Sequence, residues 1–167
     1  MAKDASFDIT TSVDLQEVDN AVNQASKEIA QRYDFKDAAL ATVELDRTEG
    51  LIKLSSDADI RLRAMWDILQ SKLMKRGVPV KNLDAGEPMP GGGDTWHRDI
   101  KLKQALDGES CKKIVAAIKA QKFKKVQASI QSDTVRVVSP DKDELQAVMA
   151  FLRGEDFGVQ LSFGNYR

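Results

Sequence analysis

The sequence predicts an α+β protein built from two copies of one βαββαβ unit, and three observations carry that prediction. First, "IKLSSDADIRLRAMWDIL" (residues 52–69) and "VRVVSPDKDELQAVMAFL" (residues 135–152) align without a gap. Ser56 with Ser139, Leu62 with Leu145, Ala64 with Ala147 and Leu69 with Leu152 are identical, and apolar positions otherwise answer apolar ones. Second, in each half the apolar residues recur at helical spacing, then at every second residue, then at helical spacing again. Third, "DAGEPMPGGGD" (residues 84–94) interrupts both periods between the halves. The likeness reads as an internal duplication.

Taken in order, "SFDI" (residues 6–9) and "HRDI" (residues 97–100) each precede a helical pattern and read as first strands. Val18, Val22, Ala25 and Ile29 then mark the first helix of one copy; Cys111, Ile114 or Val115, and Ile118 mark that of the other. Period-two runs follow: Val43 and Leu45, then Ile52 and Leu54, around "DRTEG"; Val126, Ala128 and Ile130, then Val135 and Val137, around "QSD". Both read as hairpins. Ser56 and Ser139 are expected as the N-caps of the second helices, with Pro140 at the first helical position and Asp59 completing a capping box. Leu62, Met65, Trp66 and Leu69, like Leu145, Val148, Met149 and Leu152, form inward stripes. "VPVKNL" and "VQLSF" close the copies as short last strands. This is the ferredoxin-like order, two helices on one face of an antiparallel sheet. The expected boundaries are 1–83 for the first repeat, 84–96 for a Pro/Gly-rich linker and 97–167 for the second repeat.

Composition bounds the function classes. The 167 residues are 42% hydrophobic and 31% charged, an ordinary globular balance for one domain or two small ones. The opening "MAKDASFDIT" lacks the apolar run of a signal peptide, and no stretch approaches the roughly 20 apolar residues of a membrane span. A single cysteine, Cys111, cannot form an internal disulfide, which agrees with a reducing compartment. A cytoplasmic protein with no membrane partner is expected. The near-neutral net charge hides a division: residues 1–94 hold 12 Lys/Arg against 17 Asp/Glu, residues 95–167 hold 13 against 9. Between residues 110 and 132 stand Lys112, Lys113, Lys119, Lys122, Lys124 and Lys125 with no carboxylate. Such a field attracts phosphates; a solvated helix face is the alternative.

The inventory for catalysis is thin. His97 is the only histidine, so no multi-histidine metal site can form, and neither metal nor cofactor is expected. Cys111 falls on an apolar helical stripe, where a small buried thiol is the usual meaning. No phosphate loop, dinucleotide turn or zinc-protease helix is present, and "GGG" at residues 91–93 neither follows a strand nor opens a helix in this pattern. No catalytic residue is expected, and a nucleotide hydrolase using His97 is the weakest reading.

Binding chemistry is expected on the outer faces of the sheets. Lys101 and Lys103 alternate with inward Ile100 and Leu102; Gln127, Ser129, Gln131, Thr134 and Arg136 share the outer parity of the later hairpin. Cations, amides and hydroxyls suit phosphate oxygens and base edges, although any half-exposed sheet is polar outside. The strands "GLIKLS" and "TVRVVS" carry no aromatic residue, which disfavours base stacking of the RNA-recognition kind.

"SFDI", "RYDF" (residues 32–35), "IKLKQ" (residues 100–104), "KVQASIQSDTVRVVSPDKDELQAVM" (residues 125–149) and the final "FGNYR" together resemble the YajQ family of small bacterial nucleotide-binding proteins. The resemblance covers nearly the whole chain, with the long C-terminal stretch its specific part. It implies two ferredoxin-like domains whose first strands, about 6–12 and 98–104, are exchanged. It also implies binding of nucleotides (GTP, ATP or cyclic di-GMP) or of transfer RNA, without catalysis.

The leading expectation is a nucleotide-binding regulator, a sensor of cyclic di-GMP or a purine nucleotide. Lys101, Lys103 and Arg136 would hold phosphates, Gln104 would read a base edge, and Arg32 and Tyr33 would lie nearby if the exchange brings the sheets together. The alternative is an RNA-binding or interaction module, with Lys112, Lys113, Lys124 and Lys125 as a basic patch for RNA or a regulatory protein.

Overall fold

The computed structural model describes residues 4–32 and 41–167. The elements are β1 (Ala5–Thr10), α1 (Leu15–Gln31), β2 (Thr42–Asp46), β3 (Leu51–Ser56), α2 (Asp59–Lys75), β4 (Leu83–Ala85), β5 (Met89–Pro90), β6 (Trp96–Leu102), α3 (Gly108–Ala120), β7 (Gln127–Gln131), β8 (Thr134–Ser139), α4 (Lys142–Arg153) and β9 (Ser162–Gly164). They form two compact units, each with helices and one antiparallel sheet, as an α+β chain requires. One unit joins the N-terminal segment through Ser12 to Gln104–Arg167; the other is Val13–Lys103.

In the first unit the strand order is β7-β8-β1-β9. β1 lies between β8 and β9, with Phe7 opposite Val137 and Ile9 opposite both Val135 and Phe163. Its alternation is strict: Ala5, Phe7 and Ile9 are buried and Ser6, Asp8 and Thr10 are not. Phe7 and Ile9 share a core with Cys111, Ile114 and Ile118 of α3 and Leu145, Val148, Met149 and Leu152 of α4. Phe7 also meets the edge of Phe163, ring centroids 5.7 Å apart.

In the second unit the order is β2-β3-β6-β4, with β5 also on β6. Ile100 and Leu102 of β6 enter a core with Ile52, Leu54, Val18, Val22, Ile29, Leu62, Met65 and Leu69. The stripes read from sequence are therefore the core. Trp66 is only half-buried, and its ring lies 6.0 Å from the Arg98 guanidinium.

Helix boundaries depart from expectation at both serines. Ser56 remains the last residue of β3, paired with Trp96 and fully buried; its hydroxyl donates to Asp57 Oδ1 at 3.2 Å. α2 starts later, behind Ala58, which offers no side-chain cap. Ser139 likewise ends β8, and its Oγ accepts from the Asp141 amide at 3.1 Å. Asp141 is the true cap of α4, accepting from Asp143 N at 2.9 Å, so Pro140 precedes the helix. Each strand runs on to its serine and the helix begins three residues beyond it, so the residue just before the first turn is Ala58 or Asp141.

α2 ends on Gly77, whose φ of +79° suits glycine, while Val78 N–H donates to Leu73 O at 3.0 Å. "VPVKNL" becomes a 3₁₀ turn at Val80–Asn82 and then β4. In the segment expected as a linker, β5 folds back on β6 with Met89 opposite His97, and Gly86 N–H donates to Asp99 O at 2.9 Å. A side chain on Gly91 would meet Thr95 Oγ1 at 2.6 Å, so the Thr95 side chain would have to turn aside to admit one. Ile130 differs too: it is 42% exposed, because β7 is an outer strand with a neighbour on one side only.

Candidate functional site

A concave feature lies in the first unit, where α3 hands the chain to β7 through "QKFKKV". Asp107 caps α3 by accepting from Ser110 N at 2.7 Å. At the other end Lys122 N–H donates to Lys119 O at 3.1 Å, and Lys122 itself is left-handed at φ +55°. Lys125 repeats this at φ +58°. Glycine is the residue usually found there; an ordinary side chain costs about 1 kcal/mol. Between the two bends Phe123 turns inward and packs edge-on against Phe151, 6.0 Å between centroids.

A cavity of about 440 Å³ opens beside this segment. Ile118, Phe123, Val126 and Ala128 give it an apolar floor; Lys119 and Lys122 stand at it with Gln127 and Ser129. A second cavity of about 420 Å³ shares Val126, Gln127 and Val138 and adds Lys125, Asp4 and Pro140. Size and lining suit a small anionic ligand with a flat apolar part. Among the described residues none of Lys119, Lys122, Lys124 and Lys125 is in an ion pair, and all are exposed. Their ammonium groups are available to phosphate oxygens.

The residues singled out from sequence are distributed differently. Arg136 lies on the outer sheet face as expected, but its Nε is 3.0 Å from Asp8 Oδ1 and its Nη2 donates to Oδ2 at 3.5 Å. Asn165 Nδ2 donates to the same Oδ2 at 2.7 Å. The hydrogen bond from Arg136 holds the Asp8 carboxyl below its usual value against the opposing effect of burial. Asp8 in turn raises Arg136. This guanidinium is committed to a carboxylate, which sequence parity could not reveal.

Lys101 and Lys103 are exposed, the former on β6 opposite Asp84 and Leu51. Lys103 N–H donates to Asn82 O at 2.8 Å, and the Asn82 amide returns a bond to Lys103 O at 2.9 Å. Arg32 caps α1 through its own amide, donating to Glu28 O at 3.0 Å. These three belong to the Val13–Lys103 unit, Gln104 and Arg136 to the other. Tyr33 lies outside the described residues. Neither cavity is lined by any of the other five. Of the basic patch, Lys125 lines the second cavity, Lys124 adjoins it in the chain, and Lys112 and Lys113 are exposed on α3.

Sequence reasoning missed Lys119, Lys122, Phe123 and Gln127 as a group. The available signal was the aromatic residue set among lysines in "KFKK". Cys111 is buried as expected, and burial pushes its thiol up, with Asp107 and Asp133 adding to the effect. No group of three metal-ligating side chains occurs among the described residues, and no helix among them is long and apolar enough to cross a membrane.

Comparison with known proteins agrees with the resemblance read from sequence. A family model described as "Nucleotide-binding protein YajQ-like" matches residues 5–167. A protein of Desulfitobacterium hafniense named "Nucleotide-binding protein" is 48% identical over 167 residues, all of both chains. One of Solibacter usitatus with the same name is 47% identical over 164 residues, 98% of each chain. The Escherichia coli O81 protein named "Nucleotide-binding protein YajQ" is 45% identical over 162 residues, 97% of this chain and 98% of that one. With its whole length accounted for by such relatives, the chain belongs to the YajQ-like family of nucleotide-binding proteins.

Proposed function

We propose that the protein binds nucleotides, purine nucleotides and cyclic di-GMP among them, as a cytoplasmic regulator without catalysis. The observation that carries this reading is the cavity beside β7, where an apolar floor around Phe123 meets unpaired lysines 119 and 122. A base against the floor and phosphates at the lysines would satisfy both kinds of surface. The names of the relatives support the ligand class. The lone cysteine fits a reducing compartment. Lys101 and Lys103 at the end of β6, and Arg32 at the end of α1, offer further places for phosphate in the other unit.

Calorimetry with ATP, GTP and cyclic di-GMP tests the proposal. Heat with at least one ligand is expected, and its affinity should fall at least about tenfold in Lys119→Glu/Lys122→Glu, equivalent to 1.4 kcal/mol. Silence with all three near millimolar protein would remove the proposal. If Lys101→Glu/Lys103→Glu abolishes binding instead, the site moves to β6.

A second reading, RNA binding, is favoured by the exposed lysines 112, 113, 124 and 125. It requires transfer RNA affinity to fall with salt by roughly 0.7 to 0.9 in the log-log slope per phosphate neutralised. A flat salt profile would remove it.

The fold is part of the same proposal. We read the two units as ferredoxin-like copies of one module, with boundaries near 83 and 97 in the chain and with first strands exchanged. Identical placement of β1 and β6, each between the second strand of a hairpin and a short last strand, supports this reading.

A further inference from the structure

We propose that the free edge of β7 docks an extended acidic segment of a partner protein as an added antiparallel strand. β7 is the outer strand of its sheet and pairs with β8 alone. Ser132 and Asp133 form the two-residue turn between Gln131 and its partner Thr134. The pair closing such a turn is hydrogen-bonded, so Gln131, Ser129 and Gln127 direct their N–H and C=O groups to β8. Ala128 and Ile130 therefore direct theirs outward, where nothing in this unit pairs with them.

The other sheet edges are guarded. β9 and β4 are three residues long, and β4 carries Asp84; β2 carries Glu44 and Asp46, the latter 3.4 Å from Lys53 Nζ. Charge and short length are the usual protections of an edge strand. β7 has five residues, no charge and no proline, and displays Ile130 at 42% exposure. A strand left open in this way is a template for another.

Charge decides the occupant. Lys119, Lys122 and Lys125 stand beside the start of β7 and Lys124 just before it, all exposed and without ion pairs among the described residues. The far end is marked by Asp133. An antiparallel guest thus places acidic residues at its C-terminal end and neutral ones at its N-terminal end. The apolar floor of Ile118, Phe123 and Ala128 gives an inward side chain of the guest a seat. An antiparallel second copy would bring only its Asp133 to these four lysines, a poorer match than a run of carboxylates, and a nucleic acid has no strand-like row of N–H and C=O groups to offer the edge.

The test uses the full chain, ¹⁵N-labelled and free of nucleotide, with the peptide acetyl-TVTVTDDE-amide and its control acetyl-TVTVTKKK-amide. At saturation, amide exchange at Ala128 and Ile130 should slow at least about tenfold while Ser129 changes little. Binding should weaken at least about tenfold in Lys124→Glu/Lys125→Glu and in Ile130→Pro, which removes an outward N–H and spares the bonds to β8. Ile130→Lys provides a second edge variant if the proline disturbs the hairpin. Equal binding of both peptides, or no slowing at millimolar peptide, would overturn the proposal. So would a dimer in light scattering that Ile130→Lys dissociates, since the edge would then belong to a second copy. Nucleotide calorimetry is a separate assay, so either idea can fail alone.

Discussion

Asp8 and Arg136 face each other across the β1–β8 ladder, and the guanidinium grips the carboxylate at 3.0 and 3.5 Å. Because Asn165 donates to the same carboxylate, one acidic residue near the N-terminus joins β1, β8 and the C-terminal tail. The folded state lowers the Asp8 pKa. Its stabilisation is thus complete above the unfolded value of about 3.9 and is lost as pH falls through the lower folded value. Asp8→Asn should be less stable than the parent at neutral pH, and the gap should narrow below about pH 4. Urea midpoints measured across that range check this; a gap that widens in acid would contradict it.

Phe7→Ala should destabilise by about 3 to 5 kcal/mol, since the ring is fully buried and packed edge-on against Phe163. The effect should appear in residues 104–167, far along the chain, because β1 completes that sheet. Hydrogen exchange by mass spectrometry would locate it; faster exchange confined to residues 13–103 would contradict the strand order.

Ala58→Ser should stabilise by about 0.5 to 1 kcal/mol. Ala58 already has the extended backbone of a cap, φ −152° and ψ 146°, but offers no acceptor to α2. Asp14→Ala at the capped start of α1 should cost about 1 kcal/mol. Denaturant melts of both variants would compare an absent cap with a present one.

Lys122→Gly should raise stability by up to about 1 kcal/mol by relieving the left-handed conformation, less the entropy glycine adds to the unfolded chain. The same change should weaken nucleotide binding. Stability and affinity moving in opposite directions would mark a strained residue retained for its charge.

How much was legible depended on what each residue's neighbours supply. Leu62, Leu145, Ile114 and Ile100 face a core in any arrangement of the strands, so their periodicity sufficed. Ser56 and Ser139 carried sound cap chemistry but were already held in β3 and β8, and local pattern does not reveal that competition. Ile130 has the core parity yet lies on an edge, which only strand order decides. Arg136 was placed on the right face, but Asp8, 128 positions away, occupies its guanidinium. The cavity was least legible, because it exists through positive φ at Lys122 and Lys125, a conformation that lysine does not announce.

The central claim is that the cavity beside β7 receives the nucleotide. Titration calorimetry of the parent and of Lys119→Glu/Lys122→Glu with cyclic di-GMP, GTP and ATP, run at equal ionic strength, tests it most directly. Saturable heat from the parent with at least one ligand is expected, with a loss of at least about tenfold in affinity in the variant. Equal affinity in both proteins would contradict it.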